Sequence, residues 1–225
     1  MPTAIVTGAS RGLGLALTRA LADRGWLVVA DARGQDDLAR AWENVPNVLA
    51  VPGDVADPEH RVALVETAGD EIDLLVNNAS VLGPSPLPPL AEFPLDELRR
   101  IYELNVTAPL GLIQLALPRF VAGARILNVT SDAAVEAYEG WGGYGSSKAA
   151  LDQLTAVLAA EHPELRIYAV DPGDMRTQMH QDAFPGEDIS DRPEPETVVP
   201  ALRRLLREAP PSGRYRAADL LVVTP

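Results

Sequence analysis

Short apolar runs alternate with segments of helical spacing along most of the chain. Ala4–Thr7 is a β-branched run ending at a glycine, and 15–21 carries apolar residues at helical spacing up to Gly25. Leu27–Ala30 predicts a second strand, followed by a polar turn and a short helix near Leu38–Trp42, and Val48–Val51 predicts a third strand. Pro58 opens a helix at its first turn, where proline is tolerated, and that helix ends near Gly69. Leu74–Val76 is a fourth strand ahead of Asn77-Asn78. Long helices are expected over 95–106 and 110–121, then a fifth strand at Arg125–Val129 and a helix over 144–161. A sixth strand is expected at Ile167–Val170, a helix over 195–208 and a last strand over 220–223. Strands that are apolar throughout and alternate with helices belong to a parallel sheet covered on both faces, an α/β fold. Residues 177–195 break the rhythm: they are polar, proline-bearing and aperiodic, which predicts a loop or flap.

Composition bounds the function. At 225 residues with 47% apolar side chains, the chain is expected to form a single domain, 1–225, with a sizeable core. A net charge of −13 argues against nucleic acid and against an anionic membrane surface, since both need a basic footprint. The chain has no cysteine, and His60, His162 and His180 show no metal-ligand spacing, so no metal is expected. The longest apolar run, 106–122, is broken by Pro109, Pro118 and Arg119 and reads as a buried helix rather than a membrane span. With no basic region leading into an apolar stretch at the N-terminus, a cytoplasmic protein is expected.

Thr7-Gly8-Ala9-Ser10-Arg11-Gly12-Leu13-Gly14 lies between the first strand and the first helix. A strand, a glycine turn and a helix N-terminus together offer backbone N–H groups and a positive dipole end to a pyrophosphate. An ordinary glycine-rich β–α turn is the competing account. Asp31 closes the second strand, where an acid accepts from the ribose 2′-hydroxyl and repels a 2′-phosphate, so NAD is expected with NADP not excluded. Arg11 and Arg33 pull toward a 2′-phosphate, although a solvated loop cation also accounts for Arg33. Asp54, in Gly53-Asp54-Val55, is placed either against the adenine or as a cap for the helix that opens at Pro58.

Lys148 is the only lysine; the other 18 basic side chains are arginine. It stands four residues after Tyr144. An ammonium is a compact charge that fits beside a phenol and a ribose at once, whereas a guanidinium is a planar fork. A phenol with its ordinary pKa near ~10 is a poor base at neutral pH, and a cation one helical turn away favours the phenolate. Chance placement is the competing account, so the rest of the chain decides.

Thr7-Gly8-x-x-x-Gly12-x-Gly14, Asn77-Asn78-Ala79, Asn105, Ser131, Tyr144-x-x-x-Lys148 and Pro172-Gly173-x-x-x-Thr177 occur in that order. Together they resemble the short-chain dehydrogenase/reductase family in its compact single-domain branch, over about residues 3–178. The resemblance implies a Rossmann-type, doubly wound, mostly parallel seven-stranded sheet with helices on both faces. It implies hydride transfer between a nicotinamide and a carbonyl or alcohol. Catalytic roles fall on Asn105, Ser131, Tyr144 and Lys148. Tyr144 is general acid/base, Lys148 lowers its pKa and holds the nicotinamide ribose, and Ser131 holds the substrate oxygen. Asn105 kinks its helix and holds a water that relays protons to the lysine. Cofactor contacts fall on Gly8, Ser10, Arg11, Gly12, Leu13 and Gly14, on Asp31, Arg33, Asp54 and Val55, and on Asn78, Ala79, Tyr144 and Lys148. Pro172 and Gly173 let the backbone approach the nicotinamide, and Thr177 bonds its carboxamide. Two departures stand out: Ser80 replaces the glycine usual after Asn-Asn-Ala, and the stretch after Pro172-Gly173 is short and acidic.

For each residue a plainer account exists: an interfacial aromatic for Tyr144, a solvated cation for Lys148, a strand-end cap for Ser131 and a surface polar residue for Asn105. Trp141, Met175, Met179 and Phe184 either line a substrate pocket or pack loops. A substrate flap is expected at 174–195. The leading reading is an NAD(P)-dependent oxidoreductase acting on a small molecule, associated as a homodimer or homotetramer through apolar helix faces. The alternative is a catalytically silent nucleotide-binding regulator or scaffold of the same fold.

Overall fold

The computed structural model describes residues 1–221. Seven strands form one sheet: β1 (Thr3–Val6), β2 (Leu27–Ala32), β3 (Val48–Pro52), β4 (Ile72–Asn77), β5 (Phe120–Val129), β6 (Arg166–Asp171) and β7 (Gly213–Arg216). Their order is β3-β2-β1-β4-β5-β6-β7, and every pairing among the described residues is parallel, where a mostly parallel sheet was expected.

Side chains alternate across each strand, so the sheet feeds two cores. Ala4, Val6, Leu74 and Val76 face one side, where Leu13, Leu17 and Leu21 of α1 (Gly12–Ala22) and Leu202 and Leu205 of α8 (Val199–Glu208) cover them. Ile5, Ile72 and Leu75 face the other, under Leu64 of α3 (Pro58–Ala68), Leu112 of α5 (Ala108–Ala116) and Leu158 of α6 (Gly142–Glu161). The chain winds outward from β1 to β3, returns to β4 and winds the other way. The order therefore reverses between β1 and β4, and ligands of open α/β sheets bind in the crevice at that point.

Three expectations need correction. The helix placed at 110–121 ends at Ala116, because Pro118 cannot continue it; Phe120 and Val121 already belong to β5, Phe120 pairing with Ile72. The seventh strand is Gly213–Arg216 rather than 220–223. It is an edge strand with alternating exposure, so it lacks the continuous apolar signature of the inner strands. Leu220 and Leu221 lie in α9 (Ala217–Leu221), and Val222 and Val223 lie outside the described residues. Third, the segment expected as one helix over 95–106 is α4 (Leu95–Tyr102) followed by a π-helical turn, Glu103–Thr107, that leads directly into α5.

Candidate active site

The glycine turn between β1 and α1 is built for close backbone approach. Gly8 and Gly12 hold φ of +66° and +56°, a region that glycine enters without strain. A Cβ on Gly14 would stand 2.3 Å from the Gly8 carbonyl oxygen and 2.5 Å from Asn78 Nδ2, so only glycine lets α1 start this near the turn. Arg11 makes no side-chain cap, which leaves the first N–H groups of α1 facing the cleft. Just past β4, the Asn78 amide donates to Thr7 O (2.8 Å), while the backbone N–H groups of Asn78 and Ala79 donate to Thr7 Oγ1 (2.9 Å each). The two strands at the order reversal are thereby locked together.

Asp31 borders the cleft, but its carboxylate is already engaged. It is 1% exposed; Oδ1 accepts from Gly8 N (2.8 Å) and Oδ2 meets His60 Nε2 (3.2 Å). Burial raises its pKa, with the His60 and Gly8 hydrogen bonds pulling the other way. Asp31 was expected to accept from the ribose; here, at the cleft wall, its carboxylate braces the glycine turn through Gly8 N and pairs with His60. Arg33 and Arg11 are exposed on the cleft wall. Asp54 and Val55 also line the cleft; Asp54 Oδ1 accepts from Ala56 N, and the cap of α3 is Asp57, which accepts from Glu59 N.

The four residues expected to do chemistry converge at the other end. Tyr144 and Lys148 are buried on α6, at 8% and 2% exposure, and Lys148 Nζ sits 5.5 Å from the centre of the Tyr144 ring. Lys148 donates to Val129 O (2.8 Å), and burial lowers its pKa to about 8, against a smaller upward pull from Asp152. Burial pushes the Tyr144 phenol well above its ordinary pKa. The Ser80 hydroxyl opposes this most, Asp132 and Asp171 add to it, and the Ser131 hydroxyl pulls down. Burial is the largest of these influences, and it favours the protonated phenol. Ser131 ends the loop after β5, accepts from Ala133 N (3.2 Å) and donates to Asp132 Oδ1 (2.8 Å), so it is a cap as well as a cleft residue.

Asn105 is fully buried in the π-turn. Its Oδ1 accepts from Val81 N (2.9 Å) and Ser80 Oγ (3.1 Å), and its Nδ2 donates to Val81 O and Ser147 Oγ (3.0 Å each). Ser147 in turn donates to Tyr144 O (2.6 Å). Four bonds saturate the amide, leaving that side chain nothing with which to hold a water. It ties the loop beside Tyr144 to the helix that carries Tyr144. Asn105 and Gly14 are the two expected site residues that do not line the cleft; both act from behind it.

Beyond β6, Pro172, Gly173 and Thr177 line the cleft, with Gly173 at φ +76° and Thr177 capping α7 (Gln178–Ala183). The segment over 174–195 is stapled by Arg176 to Glu194, and by a hydrogen bond from Ser85 Oγ to Asp182 O (2.7 Å) that crosses to the opposite rim. The cleft measures about 630 Å³. Sequence reasoning missed Arg214 on β7, which bridges Asp152 (3.0 Å), Ser131 O (3.0 Å) and Asp171 (3.4 Å), and it missed His60. Each contacts residues 29 or more positions away, so no local signal could have found them. Among the described residues no group of three His, Cys, Asp or Glu could hold a metal, and no helix is long and apolar enough to cross a membrane.

The fold and this constellation define a nucleotide-binding oxidoreductase, and comparison with known proteins agrees. The short chain dehydrogenase family model matches residues 2–188, and the chain belongs to that family. A benzil reductase forming (S)-benzoin, from Bacillus subtilis, is 33% identical over 184 residues, which is 78% of this chain and 75% of that protein. A Pseudomonas syringae structure described as a short chain dehydrogenase superposes with a TM-score of 0.89 at 29% identity, covering 96% of this chain and 94% of that one. A blue fluorescent protein from a metagenomic library, solved in complex with NADPH, gives 0.85 at 27% identity, covering 96% and 95%.

Proposed function

We propose that this chain is an NADP(H)-dependent oxidoreductase of small carbonyls or alcohols with Tyr144 as general acid/base. The observation that carries the reading is the convergence of Tyr144, Lys148 and Ser131 on the same cleft as the glycine turn. The cleft fits a dinucleotide. Glycines with positive φ and open helix N–H groups suit a pyrophosphate, and Asn78, Ala79, Pro172, Gly173 and Thr177 flank the path to Tyr144. Bound there, a nicotinamide supplies a hydride to a carbonyl carbon or takes one from an alcohol. Tyr144, held protonated by burial, is in the form that gives a proton to a carbonyl oxygen, a contribution of typically ~10²–10⁴-fold. Ser131 holds that oxygen, the Lys148 ammonium holds the nicotinamide ribose and stabilises the phenolate left behind, and Asn105 keeps the loop beside them in place.

The preference for NADP(H) over NAD(H) rests on Asp31 being occupied while Arg33 and Arg11 stay exposed on the wall. The NADPH complex of the metagenomic neighbour and the carbonyl substrate in the name of the Bacillus relative support the same reading. Residues 174–195 form its substrate flap, and exposed Leu115 and Val157 on α5 and α6 suit a homodimer or homotetramer. Tyr144→Phe tests the chemistry: turnover of a responsive carbonyl should vanish while nucleotide titration still shows binding. Near-normal turnover by that variant overturns the mechanism. Wild-type silence across a broad panel of carbonyls and alcohols, with nucleotide bound, favours the silent regulator.

A further inference from the structure

Beyond Tyr144 the cleft changes character. Trp141 stands edge-on to the Tyr144 ring at 5.8 Å and meets Phe184 at 6.0 Å and Tyr138 at 6.4 Å. Leu87 and Met179, both half-buried, pack on the same cluster. These side chains come from three separate segments: the loop after β4, the start of α6 and the flap. Trp141 and Met179 line the cleft beside Tyr144, so their uncovered faces border the reacting position.

The polar groups at this end carry a sign. Asp132 takes hydrogen bonds from Ser131 Oγ, Ala133 N and Tyr138 Oη (2.8, 2.8 and 3.0 Å). Asp174 lies on the flap side of the same wall. The flap cations nearby are committed: Arg176 to Glu194, and Arg192 to Asp191 and Asp174. Of the arginines that line the cleft, Arg11 lies on the glycine turn, Arg33 follows β2, and Arg176 is paired with Glu194.

We infer that the substrate is an uncharged ketone with an aromatic body, its ring on Trp141 and its carbonyl between Tyr144 and Ser131, and that substrate carboxylates are excluded by Asp132. An aromatic ring fits the T-shaped and offset geometries such a cluster favours. A carboxylate carried on the ring meets the like charge of Asp132, while the Lys148 ammonium is held by the Val129 carbonyl beside Tyr144. The inference rests on the oxidoreductase reading. The carbonyl carbon gains a hydride from the reduced nicotinamide, its oxygen gains the Tyr144 proton, and a secondary alcohol leaves with the nicotinamide oxidised.

The test compares acetophenone, para-acetylbenzoate, its methyl ester and butanone on the whole enzyme with NADPH. Acetophenone and the ester should exceed both para-acetylbenzoate and butanone by at least about tenfold in kcat/KM. Trp141→Ala should abolish the preference for acetophenone over butanone, and Asp132→Asn should narrow the gap between ester and carboxylate. Independently of turnover, acetophenone should quench wild-type tryptophan fluorescence, and Trp141→Phe should remove that quenching. Equal rates on ester and carboxylate, or no quenching that depends on Trp141, overturns the inference. Silence on all four ketones and across the broad panel of carbonyls and alcohols, with Trp141 quenching intact, overturns the oxidoreductase reading and leaves the aromatic subsite standing.

Discussion

At the end of β2 two side chains compete for the ribose of a bound nucleotide. Both border the cleft, but the Asp31 carboxylate is engaged by Gly8 N and His60, while Arg33, one residue past β2, stays exposed on the cleft wall. Arg33→Ala should therefore weaken NADPH binding by ~10–100-fold, the worth of a charge-assisted phosphate contact, and leave NADH within about threefold. Asp31→Ala should strip the partner from a backbone N–H of the turn, cost about 1–3 kcal/mol of stability and weaken both nucleotides together. Fluorescence titration of both variants with both nucleotides separates the cases. A preference that moves with Asp31 and ignores Arg33 would restore NAD. The composition of this site was legible in the sequence because glycines, Tyr144 and Lys148 carry local patterns. The engagement of Asp31 was not, since its partners Gly8 N and His60 lie 23 and 29 positions away in the chain.

The long helical region between β4 and β5 was legible as helix from its spacing, and its interruption at Asn105 only through the family resemblance, not through the local pattern. The residues around Asn105 have helical spacing; the π-turn is imposed by the tertiary bonds that one amide makes to the loop at Ser80–Val81 and to Ser147 on α6. Neither partner is near in sequence. Asn105→Ala removes all four bonds and strips the partner from the part-buried Val81 N–H, which should cost about 2–4 kcal/mol. Thermal unfolding should show a correspondingly lower Tm. Because the same bonds hold Ser80 beside Tyr144, kcat should fall further than the fraction folded explains. A Tm unchanged from wild type would remove Asn105 from this structural role. The edge strand Gly213–Arg216 was missed for a related reason: its stability comes from pairing with β6 and from Arg214, not from an apolar run of its own.

On the scale of the whole molecule, the reversal of strand order gathers groups from β1 to β7 at one edge of the sheet, and the placement of Lys148 there has a global energetic consequence. Its ammonium is buried, and its pKa is lowered from 10.5 to about 8. Below pH 8 both folded and unfolded chains carry the proton, and folding bears the full cost of burying the charge. Between about pH 8 and 10.5 the folded chain releases the proton while the unfolded chain keeps it, so the unfolded state binds more protons and stability rises with pH. Two and a half pH units correspond to about 3 kcal/mol as an upper scale. Lys148→Met, which keeps the length and removes the charge, should therefore be more stable than wild type at pH 7 and lose that advantage as pH approaches 10, while its turnover collapses. Urea unfolding of both proteins at pH 7 and at pH 9.5 measures the difference. A gap that stays constant across that range would show that the buried ammonium carries no such cost. Comparison with Lys148→Arg, which keeps the charge but not the compact shape, then separates the two demands on the site: loss of turnover there as well means the charge must come from a lysine.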